Sequence, residues 1–212
     1  NNSEHANKAN LIASYYQAYD QATHEKITSL YNPSNYEIDR AGSLHVELAQ
    51  QFSTAIKLFL EQQQLTAKDI CAIGCHGQTI RHRPEGKQPF TLQIGCCQTL
   101  ATLTNIRVIG QFRKKDMVLG GQGAPLVPAF HQIIFAEQKR LDGCDVFVVN
   151  IGGIANLTFL PASSQAKVIG YDSGTGNALM DDWFELHHPQ HPDNFDRQGQ
   201  WAATGVVNQG LL

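Results

Sequence analysis

The run Val148-Val149-Asn150-Ile151-Gly152-Gly153-Ile154-Ala155-Asn156-Leu157 constrains the fold more than any other stretch of this chain. Two alternating apolar runs flank a glycine pair, which is the pattern of a β-hairpin. Gly-Gly suits the primed hairpin turns, whose central residues need φ > 0. A turn of that kind points several backbone N–H groups into one concavity, and no side chain keeps an anion out of it. An ordinary hairpin with a short turn is the simpler reading of these residues taken alone. The neighbouring segments favour an anion site.

About twenty residues on lies Val168-Ile169-Gly170-Tyr171-Asp172-Ser173-Gly174-Thr175-Gly176-Asn177, followed by Ala178-Leu179-Met180-Asp181-Asp182-Trp183. Val168 to Tyr171 reads as a short buried strand and Ser173 to Gly176 as a turn. A helix is expected from Asn177, with that residue as its cap. Asp172 then stands at the carboxyl end of a strand, where open α/β sheets bind ligands. A carboxylate there, beside glycines and a helix N-terminus, is a general-base candidate. The competing reading is that Asp172 caps the loop after the strand. The Asp181-Asp182 pair reads as solvated acids near a helix end, against the alternative of a metal site.

Two upstream blocks place glycines and polar side chains after apolar runs. One is Ile73-Gly74-Cys75-His76-Gly77-Gln78-Thr79-Ile80-Arg81-His82-Arg83-Pro84. The other is Gly110-Gln111-Phe112-Arg113-Lys114-Lys115-Asp116, continued by Gly120-Gly121-Gln122-Gly123-Ala124-Pro125-Leu126-Val127-Pro128. Both read as loops after strands (Ile70 to Gly74 and Ile106 to Gly110). Gln, Thr, His and Arg supply the directed donors and acceptors that a polyhydroxy ligand requires. His76, Gln78, Thr79, Arg113 and Gln122 are the candidates. The competing readings are a hydrogen-bonded core histidine for His76 and a solvated basic run for Arg113 with Lys114 and Lys115.

The four blocks, in this order and spacing, resemble the anhydro-N-acetylmuramic acid kinase family. The residues that carry the resemblance are Gly74 to Thr79, Gly120 to His131, Asn150 to Asn156 and Gly170 to Gly174. It runs from about Ile70 to Trp183 and more weakly to either side. It implies an α/β actin-like ATPase (ribonuclease H-like) fold with two domains, the second incomplete in this chain. Residues 1–144 would form most of the first domain with the sugar-side loops. Residues 145–212 would open the second, with the phosphate hairpin and the catalytic Asp loop. A Gly-Thr-Ser-type phosphate hairpin and a glycine-rich adenosine segment, both expected of the family, are not found. The chain therefore reads as a fragment, or as one whose flanking segments lie elsewhere.

The resemblance also implies a chemistry. Family members open the 1,6-anhydro bridge of the muramic sugar and phosphorylate O6, a step in recycling cell-wall sugars. A water attacks the anomeric carbon and a carboxylate takes its proton, as in an inverting glycosidase. The leaving O6 is captured by the γ-phosphorus of ATP, so one essential carboxylate suffices. On this reading Asp172 is the general base, and Gly152, Gly153, Asn156, Gly174 and Gly176 lie on the ATP side. Magnesium shields the developing charge. Arg113 would meet the lactyl carboxylate through its planar fork. A homodimer is implied by the resemblance alone. Gln111 stands where the family has an acid, and Thr175 where it has proline. The alternatives are a non-catalytic sugar-binding remnant, or another sugar or acetate kinase of the superfamily.

Composition sets outer limits. The chain has 212 residues, 42% of them hydrophobic, ordinary for a globular protein with a good core. A formal charge of −3 with only 16 scattered Lys and Arg argues against a nucleic-acid surface. No apolar run approaches the roughly 20 residues of a membrane span, and the first residues are not a signal peptide. Cys71 and Cys75 are spaced too loosely for a zinc knuckle, and no second ligand pair follows. With Cys96, Cys97 and Cys144 they read as reduced core residues, which favours the cytoplasm. His187, His188 and His191 read as surface loop.

Along the chain, residues 1–35 read as helix and loop. Leu44, Leu48, Phe52, Ile56, Phe59 and Leu60 recur at helical spacing within Ile38 to Gln63. Thr66 to Asp69 reads as a capped turn. A strand pair is expected around Phe90 to Ile94, and helices at Gln98 to Thr104 and Ala129 to Gln138. Residues 140–145 are the expected joint.

Overall fold

A computed structural model describes residues 9–163 and 165–210 of the chain. The opening eight residues of the stretch read as helix and loop lie outside the described residues. The chain forms two compact units, Ala9–Ala124 and Pro125–Leu212.

In the first unit, helix α1 (Gln21–Thr28) begins at Asp20, whose Oδ1 accepts the Thr23 N–H at 2.7 Å. That is the N-cap bond that short acidic side chains make. Helix α2 (Glu37–Gln62) turns one stripe inward, and Leu44, Leu48, Ala49, Ser53 and Leu60 are its buried residues. Leu44 and Leu48 join Ile27, Leu30, Ile80 and Ile94 in one core cluster. Ala49 meets Cys75 and Leu100 in a second, and Phe52 packs against both. Each fully buried Leu or Ile contributes about 1.5–3 kcal/mol. Arg81 ties the sheet to the start of α2 by an ion pair with Glu37 and a bond to the Leu30 carbonyl.

After α2 the capping box of Thr66 and Asp69 turns the chain, as expected from its sequence. Strand β1 is only Ile73–Gly74, shorter than the expected run from Ile70. Strand β2 (Gln78–Arg83) pairs antiparallel with β3 (Phe90–Ile94), with a bulge between Thr79 and Arg81. The partner of Phe90–Ile94 is thus the segment read from sequence as a polar loop. Helix α3 (Cys97–Thr104) follows. Strand β4 (Val108–Ile109) then pairs in parallel with β1 and leads to helix α4 (Phe112–Val118). The expectation of a loop from Gly110 to Asp116 is corrected, since Arg113 and Asp116 lie on a helix.

The second unit begins with α5 (Val127–Asp142), longer than expected at both ends. It runs into the stretch read as a joint, and the compact units divide ahead of it, at Pro125. Strands β5 (Val146–Ile151), β6 (Ile154–Leu160) and β7 (Ile169–Thr175) form one antiparallel sheet in sequence order. Helix α5 covers one face. His131 bonds the buried Thr158 hydroxyl at 2.9 Å. Pro125 and Pro128 press on Gly170 so closely that a Cβ there would overlap the Pro128 ring. On the other face Phe147, Val149, Ile151, Ile169 and Tyr171 are exposed.

Helix α6 (Ala178–His187) starts after Asn177, which holds the cap position without a side-chain cap bond. Its buried Phe184 is ringed by His188, His191 and Trp201, with ring centroids 4.7, 5.2 and 5.8 Å away. His187 thus ends the helix instead of lying in a loop, while His188 and the exposed His191 follow it with their rings against Phe184. Asp196 holds the returning chain by accepting the N–H groups of Trp201 and Ala202, each at 2.9 Å. Those bonds lower its pKa.

The architecture is mixed α/β built on small sheets. Among the described residues no helix is long and apolar enough to cross a membrane. Cys75 is buried and Cys96 and Cys97 are partly so, but Cys71 and Cys144 are exposed, against the expectation of core cysteines.

Candidate active site

The candidate residues fall into two groups, one in each compact unit. His76, Gln78, Thr79, Arg113 and Gln122 belong to Ala9–Ala124. Gly152, Gly153, Asn156, Asp172, Gly174 and Gly176 belong to Pro125–Leu212.

In the first group, His76 follows β1. Gly77, next to it, has φ +70, and a Cβ there would stand 2.5 Å from the Ile94 carbonyl oxygen. Only glycine makes this turn without displacing β3. Arg113, in the first turn of α4, donates from Nε to Nε2 of His76 at 2.8 Å. An arginine only donates, so Nε2 accepts and the ring proton sits on Nδ1. Nδ1 in turn lies 2.7 Å from the Gly77 carbonyl oxygen and donates to it. Both ring nitrogens are thereby engaged. Arg113 also donates from Nη1 to the Gly123 carbonyl at 2.7 Å. Two of its nitrogens are committed to protein, and Nη2 keeps the planar fork's remaining reach.

Gln78 and Thr79 are strand residues. The Gln78 amide donates to the Tyr31 hydroxyl at 3.3 Å, and the Thr79 hydroxyl accepts from Gln93 at 3.2 Å. Gln122 is exposed in the Gly120–Gly123 loop beside Arg113. The structure thus brings His76, Arg113 and the Gln122 loop together, while Gln78 and Thr79 bond elsewhere.

Asp116 was not singled out from sequence. Its Oδ2 accepts the Gly123 N–H at 2.7 Å, and its backbone carbonyl accepts the Gly121 N–H at 2.9 Å. The signal available in sequence was its place three residues after Arg113, on the same helix face.

In the second group, the hairpin of β5 and β6 turns at Gly152-Gly153, as expected. Neither glycine has φ in the left-handed region, which corrects the primed-turn reading. The Gly152 N–H donates to the Ile154 carbonyl at 3.3 Å. The turn's carbonyls face the start of α6. Gly153 accepts from Gly176 at 2.9 Å and Gly152 from Asn177 at 2.8 Å. A Cβ on Gly176 would overlap the Gly152 carbonyl oxygen, so this close approach is what requires glycine.

Strand β7 runs on to Thr175, so Asp172 lies within it and not at its end. Pairing with β6 extends the strand through residues that read as a turn. The register shifts between Ala155 and Asn156, leaving Ser173 as the extra residue of a bulge. Bulges re-aim neighbouring side chains. Asp172 stands directly opposite Asn156, and Asn156 opposite Asn150. Directly paired residues share a face of the sheet. Asn150, Asn156 and Asp172 therefore form a polar row across the three strands of this sheet. They share the α5 face with Thr158 and Gly170, two residues away along each strand. Asn150 is a second residue that sequence reasoning passed over. Its signal was a break in the apolar alternation of Val146–Ile151.

Asp172 is exposed and Asn156 half-buried. A solvated carboxylate with an amide across from it can take a proton from water and orient that water. Among the described residues no group of three or more His, Cys, Asp or Glu could hold a metal ion. Mg²⁺ is usually held by one or two carboxylates together with substrate phosphates. The single exposed Asp172 is compatible with that kind of partnership.

A sequence model of a family described as anhydro-N-acetylmuramic acid kinase matches residues 2–212. The chain is 63% identical over 203 residues to the anhydro-N-acetylmuramic acid kinase of Colwellia psychrerythraea, covering 95% of this chain and 50% of that protein. It is 48% identical over 205 residues to the enzyme of that name from Saccharophagus degradans, covering 95% and 53%. For the Shewanella baltica protein the identity is 47% over 204 residues, with the same coverage. The chain spans about half the length of the curated relatives it matches.

Proposed function

The chain belongs to the anhydro-N-acetylmuramic acid kinase family, and we propose that it carries the sugar-side loops and general base of an ATP-dependent kinase. That kinase hydrolyses the 1,6-anhydro bridge of anhydro-N-acetylmuramic acid and phosphorylates O6. The products are N-acetylmuramic acid 6-phosphate and ADP. The family match, which spans nearly the whole chain, carries this reading. The exposure of Asp172 in a bulged strand supports it.

Asp172 removes a proton from the attacking water as the oxygen bonds to the anomeric carbon. The C1–O6 bond breaks, and O6 attacks the γ-phosphorus. Asn150, in the same row, orients the water, and Asn156 lies on the ATP side. Gly152, Gly153 and Gly174 leave room for the ATP phosphates, which Mg²⁺ accompanies, and Gly176 serves them by letting the hairpin turn close on the start of α6. Arg113 reads the lactyl carboxylate with Nη2, and Gln122 meets the sugar from its loop. The same reading implies a cytoplasmic reaction, an actin-like two-domain fold and a homodimeric assembly.

Asp172→Asn tests the assignment. The amide keeps the shape and loses the base, so the sugar still binds and formation of the 6-phosphate falls by about 10²–10⁴-fold, the usual contribution of a general base. Turnover at the unsubstituted rate contradicts the role assigned to Asp172.

A further inference from the structure

We infer that Asp116 is a positioning residue that, together with Arg113, clamps the Gly120–Gly123 loop and so fixes Gln122. This rests on the proposed sugar-side role of that loop. Its geometric part stands without that role.

The loop is costly to order. Gly120, Gly121 and Gly123 leave it with few side-chain contacts, and glycine loses more backbone freedom on ordering than any other residue. Gly120 and Gly123 take φ of +92 and +75. Gly123 is nevertheless buried. Its peptide groups are held from both sides by one helix face. The N–H goes to the Asp116 carboxylate at 2.7 Å, and the C=O accepts from the Arg113 guanidinium at 2.7 Å. Both bonds are charge-assisted, the stronger class. Arg113 and Asp116 are three residues apart on α4 and reach the same residue.

The fit around Asp116 leaves no slack. A Cβ on Gly121 would stand 2.7 Å from Oδ1 and closer still to Oδ2. A Cβ on Gly123 would stand 2.9 Å from Met117 Cγ. His76 closes the arrangement by holding Arg113 at Nε. Gln122 lies between two glycines whose N–H groups are both bonded to Asp116, so its backbone is anchored on either side.

The test is amide hydrogen exchange at Gly123, read by NMR, with calorimetric binding of 1,6-anhydro-N-acetylmuramic acid to the same proteins. Asp116→Ala speeds Gly123 exchange and weakens sugar affinity by about tenfold, as expected for loss of a bond to a charged acceptor. Asp116→Asn, whose oxygen still accepts, restores most of both. A purely structural role would instead lower the melting temperature while the folded variant binds the sugar with unchanged affinity. If Asp116→Ala does not fold, Asp116→Glu moves the acceptor by one methylene and loosens Gly123 in the same way. Exchange at Gly123 unchanged in a folded variant overturns the proposal. Faster exchange in a protein that binds no sugar, with or without the substitution, upholds the clamp and removes only the sugar reading.

Discussion

Arg113 donates from its Nε to Nε2 of His76, 2.8 Å away, and this bond decides what each residue can do. His76 has its other nitrogen on the Gly77 carbonyl. It therefore acts on a ligand through Arg113, whose guanidinium it orients. His76→Ala should weaken binding of the anhydro sugar by about tenfold, the lower end of what a hydrogen bond from a charged donor contributes. The sugar titration checks this, and an unchanged affinity would show that the contact is idle.

Arg113 serves His76 and Gly123 at once with a rigid planar group. Lysine offers one flexible ammonium and does not reproduce that geometry. Arg113→Lys should therefore resemble Arg113→Ala, each losing about tenfold or more in sugar affinity. Full affinity in the lysine variant would mean that positive charge alone is sufficient and that the planar fork plays no part.

The close approach of Gly176 to the Gly152 carbonyl links the hairpin turn to the start of α6. Gly176→Ala should cost about 1–3 kcal/mol, the usual range for overpacking against a fixed neighbour. Thermal unfolding measures it. The thermal midpoint should fall, with secondary structure unchanged at low temperature.

His45 gives a pH dependence. Its Nδ1 accepts the Gly95 N–H at 3.0 Å, which needs the neutral ring. Burial, and then the Lys114 ammonium, hold its pKa below the ordinary 6.5. The unfolded chain therefore binds more protons in the window just below that value. Stability is fully present above pH 6.5, and falls as pH drops from there through the folded pKa. His82 is shifted the same way, by burial and by Arg113 and Arg83, and adds to the trend. Thermal midpoints should decline as pH falls from about 7.5 to about 5. His45→Asn, which can accept the same N–H but does not titrate there, should flatten the slope.

Gln111 holds the N-cap position of α4 at φ +61, without a side-chain cap bond. A left-handed conformation costs a residue with a Cβ roughly 1–2 kcal/mol. Gln111→Gly should thus stabilise the chain by about 0.5–1 kcal/mol after glycine's own entropy loss. A lower thermal midpoint would show that the Gln111 side chain contributes contacts that offset the strain.

The legible parts of this chain were those whose periodicity is local. The stripe from Leu44 to Leu60 reads as a helix because apolar residues recur about every fourth position, and α2 buries Leu44, Leu48 and Leu60. The Gly-Gly hairpin reads from its flanking alternation. What sequence hid depends on partners outside the segment itself. Gln78–Arg83 carries few apolar residues, and only pairing with Phe90–Ile94 makes it a strand. Ser173 to Gly176 looks like a turn, yet pairing with β6 carries the strand on to Thr175 and puts Asp172 inside it. Phe112–Val118 is a helix entered from a strained Gln111, which gives no capping signal. Asp116 escaped notice for the same reason, since its role is to hold a backbone amide of a loop beyond its own helix.

The assignment of the sugar-side loops is open to a calorimetric titration of this chain with 1,6-anhydro-N-acetylmuramic acid, without nucleotide, and with N-acetylglucosamine as the control. Selective binding of the anhydro sugar, weakened by Arg113→Ala and retained in Asp172→Asn, is the predicted result. Equal or absent binding of both sugars would contradict the assignment of the His76, Arg113 and Gln122 loops to substrate.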